Sequence, residues 1–388
     1  MLTHLRRITR SGQWLVEIDS LRFIAISSVF LFHLHMELIL RAGGIAVVQP
    51  RYSWLAILLS QGERGVRLFF VISGFILGLP FARHRLLNEQ PVSIGKYFLR
   101  RLTRLEPPYI ASYLIAAALF GVYTHGHGID RIYLRHVLAG IFYLNGMIFH
   151  DQNPANVVTW SLEIEVQFYI LAPILALLFS VRNAASRRVL FIVIIAAFGF
   201  IQALVLRDNE VAKISIVFYV QYFLAGFLLA DVYLHHLMGR TGSPWIDAAA
   251  LAGWLAYFLV PYSPAAHALF PFLLVFLCGA ALCPGYSAIF FSNKTIAVIG
   301  GMCYSIYLLH FLFIAVFFKV TRHLIIPGDY LVSFFIQLVA TGIPVLALSA
   351  VYYASVERVF MNPDWPTAFR RRLRKAITTK IATPRVGD

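Results

Sequence analysis

The sequence predicts an all-α membrane protein with about ten transmembrane helices. Of its 388 residues, 60% are hydrophobic and 13% charged, and the mean hydropathy is +0.74. Apolar, aromatic-rich runs recur almost to the end of the chain, the composition of a polytopic membrane protein. The placement of positive charge points the same way.

Crossing a hydrocarbon core takes about 20 predominantly apolar residues. Such stretches lie near 18–40, 66–82, 107–123, 159–180, 188–206, 214–234, 246–261, 267–283, 296–318 and 330–356, with 132–149 borderline. If the N-terminus is cytoplasmic, the segments on that side hold 22 of the 33 lysines and arginines, and the opposite side holds ten. The positive-inside tendency therefore predicts that both termini are cytoplasmic. Arg6, Arg7 and Arg10 precede a first span too long for a signal peptide and without a clear small-residue cleavage site, so it reads as an uncleaved helix. The expected organisation is one membrane domain, 1–361, followed by a basic cytoplasmic tail, 362–388.

The net charge of +15 follows from this topology and from a tail, RRRLRK, suited to anionic lipid headgroups. Its basic residues are spread over membrane loops rather than gathered on a folded domain, which argues against a nucleic-acid partner. Cys278, Cys283 and Cys303 show no ligand-pair spacing, so neither a disulfide framework nor a zinc site is expected. His125 and His127, in HGH, lack a close carboxylate or cysteine companion, and no metal is predicted.

Two ionisable residues interrupt the first span. Arg22 and His33 are eleven residues apart, so they differ by about 20° around a helix and are separated by about 16 Å along it. They share a face that would line a passage. Asp19, one turn before Arg22, offers a local ion pair, while His35 points about 160° away from His33. Intramembrane ionisable groups are costly and face cavities or partners. The bland alternative is a paired interfacial arginine and a histidine bonded to a neighbouring helix.

Later segments carry further polar groups on helical faces. Arg101 and Arg104, at i and i+3, share a face, and Pro107 and Pro108 suggest a tight entry into the third span. Glu165 enters from the outer end of the fourth span, with Glu163 facing elsewhere. Trp160 and Tyr169 suit an aromatic belt. Tyr307 and His310 share a face of the ninth span and, with Trp160 and Ser161, are candidate cavity-lining residues. Ser73 and Gly74 permit close helix approach and read as packing.

Six blocks occur in order between residues 17 and 358: IDSLRFIAISSVFLFH, GVRLFFVISGFIL, RRLTRLEPPY, WSLEIEVQFY, CYSIYLLH and YYASVER. Together they resemble the acyltransferase-three family of integral membrane acyltransferases, whose first span carries an arginine and histidine at this spacing. The sequence departs from the common pattern at Arg67, Glu163, Val166, Cys303 and Val359, which leaves the arginine, the histidine and R-x-x-R in place.

The resemblance implies transfer of an acyl group, acetyl by preference, from cytoplasmic acyl-coenzyme A to a hydroxyl of a surface glycan or lipid-linked sugar precursor. The setting would be the bacterial cytoplasmic membrane. Coenzyme A carries several phosphates on one end of a long pantetheine arm. Arg22, Arg101 and Arg104 are then the expected donor-binding residues, since the planar guanidinium suits phosphate. His33 is the expected catalytic base or acyl acceptor, with Glu165 as a carboxylate that fixes its tautomer. Some family members carry a further soluble domain that completes the transfer, whereas this chain is expected to deliver the acyl group itself or to a partner. The alternative is a transporter that uses His33 as a proton relay and Arg22 as an anion gate.

Overall fold

The computed structural model describes residues 7, 14–43, 48–123, 131–261, 263–362 and 365. The chain starts with α1 (Val16–Ala42), α2 (Ser53–Ser60), α3 (Arg64–Leu87) and α4 (Ile94–Tyr123). Two short helices follow, α5 (Arg131–Ile141) and α6 (Asn145–Phe149), then α7 (Trp160–Leu175), α8 (Ala184–Leu204) and the single turn α9 (Glu210–Lys213). The second half contains α10 (Val220–Val232), α11 (Pro244–Leu259), α12 (Pro264–Leu282), α13 (Ala288–Phe291), α14 (Lys294–Gly301), α15 (Cys303–Thr321), α16 (Tyr330–Tyr352) and α17 (Arg358–Met361). No strand occurs among the described residues.

Among the described residues, seven helical segments are long and apolar enough to cross a membrane: Val16–Ala42, Pro50–Leu87, Val157–Ser180, Ala184–Leu204, Pro264–Leu282, Cys303–Leu324 and Tyr330–Met361. The other three expected spans are also helical, and each falls short of that standard for a visible reason. The helix α4 begins with Lys96, Arg100, Arg101, Arg104 and Glu106, leaving only its second half apolar. In α10, 13 residues long, every position from Val220 to Asp231 is buried, so it is surrounded by protein. The 16 residues of α11 make it short for a span of about 20.

Close backbone approach organises the bundle. A Cβ on Gly74 of α3 would sit 2.2 Å from the Phe223 carbonyl oxygen, and one on Gly226 of α10 would sit 2.3 Å from that of Val71. These two helices touch backbone to backbone through their glycines, as small residues permit in membrane bundles. Gly65 similarly admits α1, where Ala25 and Ser28 close in, and Gly300 brings α14 against Asp19. On the far side α10 packs against α8 and α12, while α15 lies between α1 and α16.

The paired prolines lie inside a helix. The helix α4 runs through Pro107 and Pro108, because the carbonyls that they leave without a helical N–H can find other donors. One of them, the Thr103 oxygen, accepts from Trp365 Nε1 at 3.2 Å. Nearby, Tyr304 donates to the Leu105 oxygen at 3.0 Å. Arg101 and Arg104 therefore ride on the same rigid helix as the apolar segment that follows.

His125, His127, Asp130, Arg6, Arg10 and the tail beyond Trp365 lie outside the described residues.

Candidate active site

A vestibule of about 1110 Å³ lies among the start of α1, the end of α3 and the start of α4. Arg7, Arg22, Arg83, Lys96, Arg100, Arg101 and Arg104 line it, with Asp19 and Glu89 as its acids. It adjoins a narrower cavity of about 110 Å³ that shares Arg7, Arg22, Arg101 and Arg104. The i, i+3 spacing in α4 thus puts both arginines at one junction. Arg104 Nε is buried there without a hydrogen-bond partner among the described residues, a donor left for an anion.

Arg22 is held from within its own helix. Its Nη1 donates to Asp19 Oδ1 at 2.5 Å, and Arg7 reaches the same oxygen at 3.4 Å. Trp14 Nε1 donates to Asp19 Oδ2 at 2.7 Å. One buried carboxylate therefore positions two cations at the mouth of the inner cavity.

The inner cavity follows α3, α7 and α15, with Arg22 as its only residue from the membrane-spanning part of α1. Its walls include Val66, Phe69, Phe70, Leu77 and Leu162. Among them Ser73 Oγ donates to Glu165 Oε1 at 2.5 Å, and Tyr169, one turn along α7, lines the same cavity. Arg101 stands 5.6 Å from the Tyr169 ring centre. Glu357 joins from the far end of the chain, accepting from Ser305 N at 3.1 Å and Ser305 Oγ at 2.5 Å. At the other end of the cavity Tyr307 donates to the Val158 oxygen at 2.8 Å and lies 2.7 Å from Ser161 Oγ.

One turn beyond Tyr307, His310 meets His33. Its Nε2 is 3.1 Å from His33 Nδ1, and the rings pack edge to face with centres 5.0 Å apart. His310 Nδ1 lies 2.8 Å from the Tyr307 oxygen and 3.1 Å from that of Ile306. A carbonyl oxygen only accepts, so Nδ1 carries the His310 proton and Nε2 is its acceptor. His33 Nδ1 faces two acceptors, that nitrogen and the Val29 oxygen at 2.9 Å, and so carries its own proton. In the neutral pair the lone pair of His33 is left on Nε2.

The sequence assigned a carboxylate, Glu165, to orient His33. In the structure the oriented contact comes from His310, while Glu165 is taken up by Ser73. Glu63, beside the start of α3, pairs with Arg67 at 3.4 Å. The face between Arg22 and His33 does not line the inner cavity as one strip, since α1 is covered by α3, α14 and α15.

His35 donates to or accepts from the Tyr330 hydroxyl at 2.7 Å, a brace to α16. Trp160 lies over Tyr219, ring centres 5.6 Å apart. Glu163 faces away from the cavity and accepts from the Gly146 N–H at 2.8 Å. Ser73 reads from the sequence as packing and Glu357 has no assigned role there, because nothing in a serine of an apolar block, or in an acid beside a closing arginine, reveals which face meets a cavity. Arg7 was visible only as loop charge. Among the described residues no group of three or more histidines, cysteines, aspartates or glutamates is placed to hold a metal ion.

Fold and site define an all-helical, multi-pass membrane protein whose interior joins a cationic vestibule to a hydroxyl-lined cavity beside a histidine pair. The profile of a family described as an acyltransferase domain matches residues 15–354, and the chain belongs to that family. The O-acetyltransferase OatA of Staphylococcus aureus (strain NCTC 8325 / PS 47) is 26% identical over 332 residues, 78% of this chain and 51% of the relative. The peptidoglycan O-acetyltransferase OatA of Listeria monocytogenes is 26% identical over 190 residues, 45% of this chain and 26% of the relative. The chain spans about half the length of the Staphylococcus relatives it matches, and less of the Listeria one. No solved structure matches.

Proposed function

We propose that the protein is a membrane O-acyltransferase that moves an acetyl group from acetyl-coenzyme A to a hydroxyl of a cell-wall glycan or lipid-linked sugar precursor. The donor would enter from the cytoplasm, across a ten-span bundle of the bacterial cytoplasmic membrane with both termini inside. The observation that carries the reading is the vestibule, where cations converge on a junction holding a buried Arg104 Nε that has no hydrogen-bond partner among the described residues. A nucleotide with several phosphates supplies the missing acceptors. The names of the relatives support acetyl as the group moved and a glycan as its acceptor.

His33 is the catalytic residue of this proposal. An alcohol becomes an effective nucleophile when its proton is accepted, and the lone pair on His33 Nε2 is available for that proton. The proton taken up makes an imidazolium whose Nδ1–H remains bonded to His310 Nε2 and to the Val29 oxygen. His310 acts through His33, as a positioning residue that holds its tautomer. Direct attack by the alcohol and prior transfer of the acyl group to His33 both use this lone pair.

The test is binding of coenzyme A and of acetyl-, succinyl- and long-chain acyl-coenzyme A to purified, detergent-solubilised protein. Acetyl-coenzyme A binds saturably, and Arg104→Ala weakens it by about tenfold or more, the scale of one charge-assisted hydrogen bond. His33→Ala abolishes acetyl transfer and leaves that binding in place. Absence of donor binding to well-folded wild-type protein, or full turnover by His33→Ala, refutes the assignment.

A further inference from the structure

We propose that Ser73 and Glu165 form the binding station for the amide-bearing arm of the donor, midway between the phosphate-binding arginines and the histidine pair. This rests on the acyl-coenzyme A reading above. The two residues come from different helices, α3 and α7, and meet at 2.5 Å inside the inner cavity. Tyr169, one turn along α7, lines the same cavity.

A carboxylate within a membrane helix is expensive, and such groups face a cavity or a partner. Glu165 faces a cavity, and His33, its expected partner, is bonded elsewhere. A single hydroxyl donor leaves much of a carboxylate's accepting capacity unused, since its two oxygens offer about four lone-pair sites. Around this polar point the walls are Val66, Phe69, Phe70, Leu77 and Leu162. A ligand matching that lining is slender and mostly apolar, with an N–H donor and a carbonyl acceptor close together. That is the chemistry of a secondary amide between methylene groups, repeated in a pantetheine arm.

The order along the helices agrees. Along α7, Tyr169 with Arg101 beside it, Glu165 and Ser161 succeed one another at four-residue steps, each rising about 6 Å. Ser161 touches Tyr307, and His310 lies one further turn on. A donor held by its phosphates at Arg101 and Arg104 would pass Glu165 with its amide region before its thioester nears the histidines. Bound there, an amide N–H donates to Glu165, and its carbonyl accepts from the Ser73 hydroxyl turned away from the carboxylate.

Calorimetric titration of the full chain, with Ser73→Ala and Glu165→Gln, tests this using three probes: acetyl-coenzyme A, coenzyme A, and adenosine 3′,5′-bisphosphate, which has no arm. The expected result is that each variant weakens acetyl-coenzyme A and coenzyme A equally, by about tenfold, and leaves adenosine bisphosphate unchanged. Unaltered binding of coenzyme A by both variants overturns the station, and so does weakening confined to the acetylated donor, which would move these residues to the acyl group. Equal loss of all three probes also overturns it, as a defect of fold; Glu165→Gln, close to isosteric, guards against that outcome. If wild type binds no donor, the acyl-coenzyme A reading fails. If wild type binds and Arg104→Ala weakens it while both variants are silent, only the arm station fails.

Discussion

At the residue scale, His33 depends on a neighbour that carries no charge. Two histidines compete for protons only when both are basic at the facing nitrogens, and here His310 is committed through Nδ1 to carbonyls of its own helix. Removing it frees the His33 ring to turn. His310→Ala should lower kcat by about 10–100-fold, the usual range for a group that orients a functional histidine, with acetyl-coenzyme A binding unchanged. His310→Gln, which can still offer an acceptor, should recover part of the rate. Equal loss of rate and donor affinity would refute the positioning role.

Other charged residues are structural, and their sequence positions disguised them as loop charges. Arg64 is fully buried, donating to the carbonyl oxygens of Tyr257 and Val260 and receiving the Tyr257 hydroxyl on its own carbonyl at 2.9 Å. Arg187 pairs with Asp231, and Arg188 reaches the same carboxylate at 2.7 Å. Breaking a buried pair leaves an uncompensated charge. Asp231→Ala should therefore destabilise the protein by about 3–5 kcal/mol, read as a large drop in thermal denaturation temperature in detergent; a melt matching wild type would remove the pair from the stability account.

At the element scale, the contact between α3 and α10 is set by glycine. Ser73 and Gly74 both read as packing residues, yet adjacent positions on a helix point about 100° apart. Gly74 meets Phe223 backbone, whereas Ser73 meets the cavity. A methyl group at Gly226 has backbone atoms of α3 at 2.3–2.7 Å, so the helices must separate. Gly226→Ala should cost about 1–3 kcal/mol, as overpacking does, and it should also weaken donor binding because α3 forms one wall of the inner cavity. The same substitution at Gly95, with nothing within 4 Å, is the control, and a Gly226→Ala melt indistinguishable from it would contradict the close approach.

At the scale of the whole molecule, the cations at the vestibule act together. Exposed charges are screened within about 8 Å at physiological ionic strength, so raising salt should weaken acetyl-coenzyme A binding, and less steeply in Arg104→Ala than in wild type. A salt-independent affinity would place the phosphates elsewhere. The proposed topology has its own check. A reporter fused after the last residue should be active only in its cytoplasmic form, and activity of an external reporter there would reverse the orientation or change the number of crossings.

What the sequence determined by itself is the material and its broad use: an all-helical membrane chain, its long apolar helices, its family through six ordered blocks, and Arg22, Arg101, Arg104, His33 and His310 as residues of interest. Those follow from composition, length and local spacing, which survive folding unchanged. Tertiary structure decided the partnerships. It gave His33 a histidine rather than Glu165, gave Glu165 to Ser73, carried α4 straight through two prolines and buried Arg64 and Arg187. Each of these joins residues far apart in the chain through packing geometry. A helix face can be counted from its own residues, but the group that faces it belongs to another helix, and the cost of burying a charge is settled only where the two meet.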